Sequence, residues 1–190
     1  MVIVDQGPSD EELVVGALED PNNFSFIIER YEKKLDAYIR RISGANYEER
    51  QDLLQDIFLS AYQNLRGYNP AMKFSSWIYR ITHNKTISWW RKNKKHVGEL
   101  SIDEHEDFIS SIFNENSVQI ELDENDRKEA VSAALMKLKP QYRQIILLAY
   151  WEEKSYKEIA EITKSSTGTV GTRLKRARKQ FIKYIQEYGI

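Results

Sequence analysis

The 190-residue chain contains no cysteine. That excludes a disulfide scaffold, a thiolate zinc site and a cysteine nucleophile. Its three histidines, His83, His96 and His105, have no metal-ligand spacing, and no H-E-x-x-H, G-x-S-x-G or P-loop pattern occurs. The acidic cluster 103–107 reads as a solvated charge run rather than a cation site. Neither enzyme chemistry nor a metal or cofactor is expected. No apolar run approaches the ~18 residues of a membrane span, so membrane insertion is not expected either. The stretch Met1–Pro8 lacks a basic segment followed by an apolar one, so no secretory leader is expected and the reducing cytoplasm is the default compartment. Proline (four) and glycine (eight) are scarce and stand mainly where helices should begin or stop. Alternation of period two is rare, so strands are not expected, and no internal repeat is visible.

What remains is an ordinary globular balance, 41% hydrophobic and 30% charged, with four Trp, eleven Tyr and seven Phe to fill cores. The formal net charge is −1, but the charges are sorted along the chain. Residues 1–72 are net −6, 73–96 net +7 with no acid at all, 97–129 net −9, 130–154 net +2 and 155–190 net +5. Two basic blocks separated by an acidic one suit two contacts with a polyanion, joined by a segment that avoids it. On charge alone, solvated faces are an equal reading.

Helical periodicity runs through most of the chain. Phe24, Ile27, Ile28, Tyr31, Leu35, Tyr38, Ile39 and Ile42 form one stripe, stopped by Gly44. Asn46 with Glu49 reads as a capping box, opening a helix with Leu54, Ile57, Phe58, Ala61, Tyr62 and Leu65 inward. A third helix is expected from Ser75 or Ser76 to about Lys95, with Trp77, Ile78, Ile81 and Ser88 inward. Residues 97–126 read as an acidic linker; about 30 residues reach up to ~100 Å when extended. Beyond it come Ala130, Val131, Ala134, Leu135 and Leu138, ended by Pro140, and then a helix from Gln141 to Trp151. Ser155 with Glu158 forms a second capping box. A turn at Thr163–Ser165 leads to a long helix from Thr167 with Val170, Leu174, Ala177, Phe181 and Ile185 inward. The expected architecture is all-α: an extension (1–19), a first helical domain (20–96), the linker (97–126) and a second helical domain (127–190).

The last two helices read as a helix-turn-helix. The second exposes Thr172, Lys175, Arg176 and Lys179 on one face, flanked by Arg173 and Arg178. Such a face places cations on phosphates and short polar groups near base edges of a major groove; a solvated basic helix is the alternative. In the block 73–96, Arg80, Asn84, Ile87 and Arg91 share a stripe, Trp89 and Trp90 lie beside it, and Lys92, Lys94 and Lys95 continue it. Cations interleaved with aromatics suit single-stranded nucleic acid, where stacking on an aromatic is worth ~1–3 kcal/mol per base. Adjacent Trp89 and Trp90 point about 100° apart, so at least one should reach a surface. The helix 48–66 carries a second stripe, Asp52, Gln55, Asp56 and Leu59, which reads as a solvated face or as a docking surface for a basic partner.

In these stretches the chain resembles an extracytoplasmic-function (ECF) sigma factor of bacterial RNA polymerase. They are Asp52-Leu-Leu-Gln-Asp-Ile-Phe-Leu-Ser-Ala-Tyr62, Phe74-Ser-Ser-Trp-Ile-Tyr-Arg-Ile-Thr-His-Asn84, Ser155-Tyr-Lys-Glu-Ile-Ala160 and Gly168-Thr-Val-Gly-Thr-Arg-Leu-Lys-Arg-Ala-Arg178. The resemblance implies a region-2-like bundle and a region-4-like helix-turn-helix. Asp52, Gln55, Asp56, Phe58 and Leu59 would dock on core polymerase. Arg80, Asn84, Trp89, Trp90, Arg91, Lys92, Lys94 and Lys95 would belong to the face that captures the unpaired −10 strand. Thr169, Gly171, Thr172, Arg173, Lys175, Arg176, Arg178 and Lys179 would form the −35 face. An anti-sigma protein becomes a candidate partner besides polymerase and promoter DNA. Two positions depart from the pattern: Gly171 stands where many relatives carry Lys or Arg, and Lys164 occupies a turn position that usually holds Gly. The competing readings are a duplex-only helix-turn-helix regulator and a structural adaptor. The block 73–96 argues against both, because neither has a use for a Trp-rich basic helix.

Overall fold

The computed structural model describes residues 7–93 and 124–188, and every element among them is helical. The first half contains α1 (Asp10–Glu19), α2 (Phe24–Ser43), α3 (Tyr47–Asn64) and α4 (Phe74–Asn93). The second contains α5 (Glu124–Lys137), α6 (Pro140–Ile146, continued by a π turn, Leu147–Trp151), α7 (Tyr156–Thr163) and α8 (Thr167–Gln186).

The helix ends follow from local chemistry. Ser9, Asn46 and Ser155 each accept a bond from the backbone N–H three residues on, and Glu12, Glu49 and Glu158 return it. Gly44 takes the left-handed conformation that ends α2, at φ 68°. Pro140 opens α6 from the first helical position, where its missing N–H costs nothing. Two non-glycine residues sit at positive φ, Glu153 at 47° and Lys164 at 49°. Lys164 caps α7, and its left-handed backbone is mildly strained for a residue with a Cβ.

The stripe of α2 faces inward: Ile27, Leu35, Tyr38 and Ile39 are fully buried, each contributing about 1.5–3 kcal/mol of apolar burial. Against them lie Leu53, Leu54, Ile57 and Ala61 of α3 and Phe74, Trp77, Ile78 and Tyr79 of α4. Edge-on aromatic pairs, Tyr31–Phe74 at 5.7 Å and Tyr38–Tyr79 at 5.3 Å, join α2 to α4. In the second half, Val170, Leu174, Ala177, Phe181 and Ile185 of α8 are all buried, facing α5, α6 and α7.

Several expectations are corrected. Residues 10–19 form a helix of the first bundle, with Leu13, Val14 and Ala17 buried and Asp10 paired to Arg30 at 3.0 Å. In α3, Tyr62 is 44% exposed and Leu53 takes a core place. In α4, Ser88 is exposed; Thr82 and Thr86 are buried, their hydroxyls donating to the carbonyls of Ile78 and Thr82 at 2.9 and 2.8 Å. The expected linker reaches Asp126, whereas α5 begins at Glu124. The rest of that linker, with Lys94 and Lys95, lies outside the described residues.

Candidate nucleic-acid and polymerase interfaces

The first surface lies between α2 and α3. A cleft of about 410 Å³ is lined by Phe24 and Ile28 from α2 and Leu54, Gln55, Phe58, Leu59 and Tyr62 from α3. Gln55 and Leu59 stand exposed at its edge, with Asp52 and Asp56 beside them. Phe58 is only 7% exposed and makes the floor. Asp56 reaches Lys85 of α4 at 4.0 Å, both side chains staying solvated, so the pair contributes little on its own. The sequence reading assigned Phe24, Ile28 and Tyr62 to core stripes and not to a docking surface, because their spacing satisfies a core role.

The second surface is the outer face of α4. Asn84, Arg91 and Lys92 are exposed, and Arg80, Trp89 and Trp90 are half-buried. Trp89 packs against the core, and its carbonyl accepts from the Asn93 side chain at 3.0 Å. Behind this face His83 lies 3.5 Å from the Tyr38 hydroxyl. Burial, with the nearby Arg91 cation, pulls the His83 imidazole down to about 4.

The third surface is the solvent face of α8. Ser166 caps the helix by accepting from the Thr169 N–H at 3.1 Å, and no acid occupies the first turn. The helix N-terminus is therefore free of like charge to an incoming phosphate. Thr172, Lys175, Arg176 and Lys179 are exposed; Thr169, Gly171, Arg173 and Arg178 are half-buried. The Thr172 hydroxyl donates to the Gly168 carbonyl at 2.9 Å, which leaves its lone pairs and methyl group outward. A Cβ built on Gly171 would meet the Tyr156 ring at 3.6 Å, an ordinary contact. The 51% exposed Tyr156 thus flanks the place where a longer side chain would stand, a neighbour that no periodicity reveals.

Comparison with known proteins decides the family. Family profiles match in chain order: Sigma-70 region 2 over residues 27–96 and Sigma-70 region 4 over residues 128–181. The chain is 30% identical over 177 residues to the ECF RNA polymerase sigma factor SigW of Bacillus subtilis, covering 88% of this chain and 91% of SigW. It belongs to the ECF sigma factors of RNA polymerase.

A second member, SigM of Bacillus subtilis, is 31% identical over 74% of this chain and 81% of its own. Among solved structures, CnrH in complex with the cytosolic domain of CnrY superimposes with a TM-score of 0.68 at 21% identity, over 95% of this chain and 99% of CnrH. The sigma factor RpoE in complex with the anti-sigma factor NepR from Bartonella quintana gives 0.62 at 20%, over 86% and 97%. These two likenesses concern the fold. In this ECF sigma factor the α4 face belongs to region 2, and the α7–α8 pair to region 4. No described helix is long and apolar enough to cross a membrane.

Proposed function

We propose that this chain binds core RNA polymerase and directs it to specific promoters, reading a −35 duplex with α8 and capturing an unpaired −10 strand with α4. The observation that carries the reading is the presence of regions 2 and 4 in order on one chain, alongside near full-length similarity to ECF sigma factors. It works in the cytoplasm, with specificity rather than catalysis as its contribution; the chemistry of RNA synthesis is the polymerase's.

Each surface has a physical role in this scheme. Lys175, Arg176 and Lys179 neutralise phosphates on one side of a major groove, and Thr169, Gly171 and Thr172 lie nearest the base edges. Arg173 and Arg178, half-buried, brace that face toward the backbone. On α4, Arg80, Arg91 and Lys92 hold the strand by charge, Asn84 offers both a donor and an acceptor to a base edge, and Trp89 and Trp90 provide stacking planes. Lys94 and Lys95 continue that charge in sequence. Extruding one base costs a few kcal/mol of unstacking, which such contacts return. The α2–α3 cleft, with Gln55 and Leu59 at its rim, Phe58 as floor and Asp52 and Asp56 outside, takes the polymerase. An anti-sigma protein is a further proposed partner, of the kind that RpoE has in NepR.

The test is transcription in vitro with core polymerase on a randomised promoter pool. Enrichment of a two-part consensus, dependent on this chain, is the expected outcome. Tight binding of a palindromic duplex without polymerase, and no transcription, would replace this reading with that of a duplex-only regulator.

A further inference from the structure

A cleft of about 730 Å³ opens between α2 and the segment that ends the π turn. None of the residues lining it belongs to the three surfaces described above. Its size is that of a small-molecule site. One wall is the α2 face that carries Arg30, Lys33, Lys34 and Arg41, and the other runs from Trp151 to Lys154.

Most of the charge in the cleft is matched within it. Asp10 pairs with Arg30 at 3.0 Å and accepts a bond from the Tyr31 hydroxyl. Glu152 pairs with Arg41 at 3.6 Å and accepts from the Tyr79 hydroxyl. What is left over is cationic. Among the described residues no carboxylate forms an ion pair with Lys33, Lys34 or Lys154. The one acid of the lining without such a bond, Glu153, is exposed at the rim. Lys34 stands 5.9 Å from the Tyr31 ring centre and Lys154 4.7 Å from that of Tyr79, so each ammonium has an aromatic face in place of a counter-ion. Burial pulls the Lys154 ammonium below its usual value; Glu158 and Glu152 oppose the shift, and Lys34 and Lys73 add to it.

Like charges facing each other in a partly dry cleft are costly unless an anion comes between them. A carboxylate or a halide would match one of the three unpaired lysines and leave two. An anion carrying several charges in a row matches all of them. Phosphate oxygens accept hydrogen bonds without donating, which complements lysine ammonium groups that only donate.

We propose that this cleft binds a short polyphosphate chain, either inorganic or the tail of a nucleotide, held by Lys33 and Lys34 of α2 on one side and Lys154 on the other. The assignment is independent of the roles given to α4 and α8, because the site shares no residue with them. It makes the chain a receptor for a small phosphorylated effector as well as a partner of macromolecules.

Calorimetric titration of the full chain with tripolyphosphate, and separately with ATP, tests the site. Both probes should bind with a Kd of about 100 μM or tighter at about 0.15 M salt. Lys34→Ala and Lys154→Ala should each weaken binding about tenfold, and Lys34→Arg, which keeps the charge, should retain it. Lys33→Ala, at an exposed position, should weaken binding about threefold without disturbing the packing. A cooperative melt shows that each variant is folded. Tighter binding of ATP than of tripolyphosphate assigns the site to a nucleotide; equal or weaker binding of ATP assigns it to inorganic polyphosphate. Absence of binding by both probes overturns the proposal, and so does binding that is unchanged in Lys33→Ala and Lys34→Ala. Binding lost in Lys175→Ala with Lys179→Ala and kept in Lys34→Ala would put the anion on the α8 face and overturn it as well.

Discussion

α4 and α8 are both 20-residue cationic helices, and they are anchored in opposite ways. α4 packs against α2, α3 and α7 at once. It buries polar Ser76, Thr82 and Thr86 alongside Phe74, Trp77, Ile78 and Tyr79. α8 also meets three helices, α5, α6 and α7, but all of them along one narrow stripe, Val170, Leu174, Ala177, Phe181 and Ile185, and it leaves the rest to solvent. A helix held from several sides presents a few fixed groups, here Asn84 and the tips of two tryptophans. A helix held from one side presents a long cationic face. The first geometry suits single bases presented one at a time, and the second suits the regular backbone of a duplex.

The comparison is most severely tested at the anchors. Arg143 is 2% exposed and donates to the carbonyls of Leu135, Met136, Leu138 and Ile42. Arg143→Ala leaves those carbonyls unpaired and should cost at least about 3 kcal/mol. The denaturant midpoint measures it; a loss below 1 kcal/mol would mean that water replaces the guanidinium.

Acid should weaken the first half next. The His83 imidazole is depressed to about 4 by burial and by Arg91, against about 6.5 in the unfolded chain. Its contribution is therefore intact above pH 6.5 and is lost as pH falls from about 6.5 to about 4, at up to about 1.4 kcal/mol per unit. His83→Gln should flatten that limb in unfolding curves at pH 7, 5.5 and 4.5. An unchanged slope would place the titration elsewhere.

The two proposed DNA faces are compared by Trp90→Ala and Lys175→Ala. Loss of one stacking plane, about 1–3 kcal/mol per base, should reduce strand opening by tenfold or more in permanganate footprinting while duplex binding holds. Lys175→Ala should do the reverse and lower the salt slope of binding by about 1. Equal losses in both assays would erase the distinction between the helices.

The smallest expected effect is a gain. Gly171→Ala places its Cβ 3.6 Å from the Tyr156 ring without a clash and should stabilise α8 by about 0.8–1 kcal/mol, read as a higher melting temperature. A drop would mean that the ring needs the empty place.

Much of the fold was legible because it is local. The boxes at Asn46 and Ser155, the stop at Gly44 and the five-residue stripe of α8 are each written within a few turns of chain. Ser9 with Glu12 carries the same signal as those boxes, yet the short helix behind it has apolar residues on both its buried face (Leu13, Val14, Ala17) and its exposed one (Val15, Leu18), so no single stripe stands out. The three candidate surfaces could be proposed from residue type and spacing. Phe58, as cleft floor rather than outward contact, could not be told from its stripe, because a residue at the edge of an apolar stripe fits either place.

By itself the sequence determined the capped helix starts at Asn46 and Ser155, the stop at Gly44, the inward stripe of α8 and that two cationic blocks flank an acid one, since these depend on neighbours close along the chain. Tertiary structure alone decided that Asp10 joins Arg30, that Tyr156 covers Gly171 and that Glu152 finds Tyr79 and Arg41. A buried carboxylate chooses its partners by shape and desolvation across the folded chain, and no spacing along the chain encodes that choice.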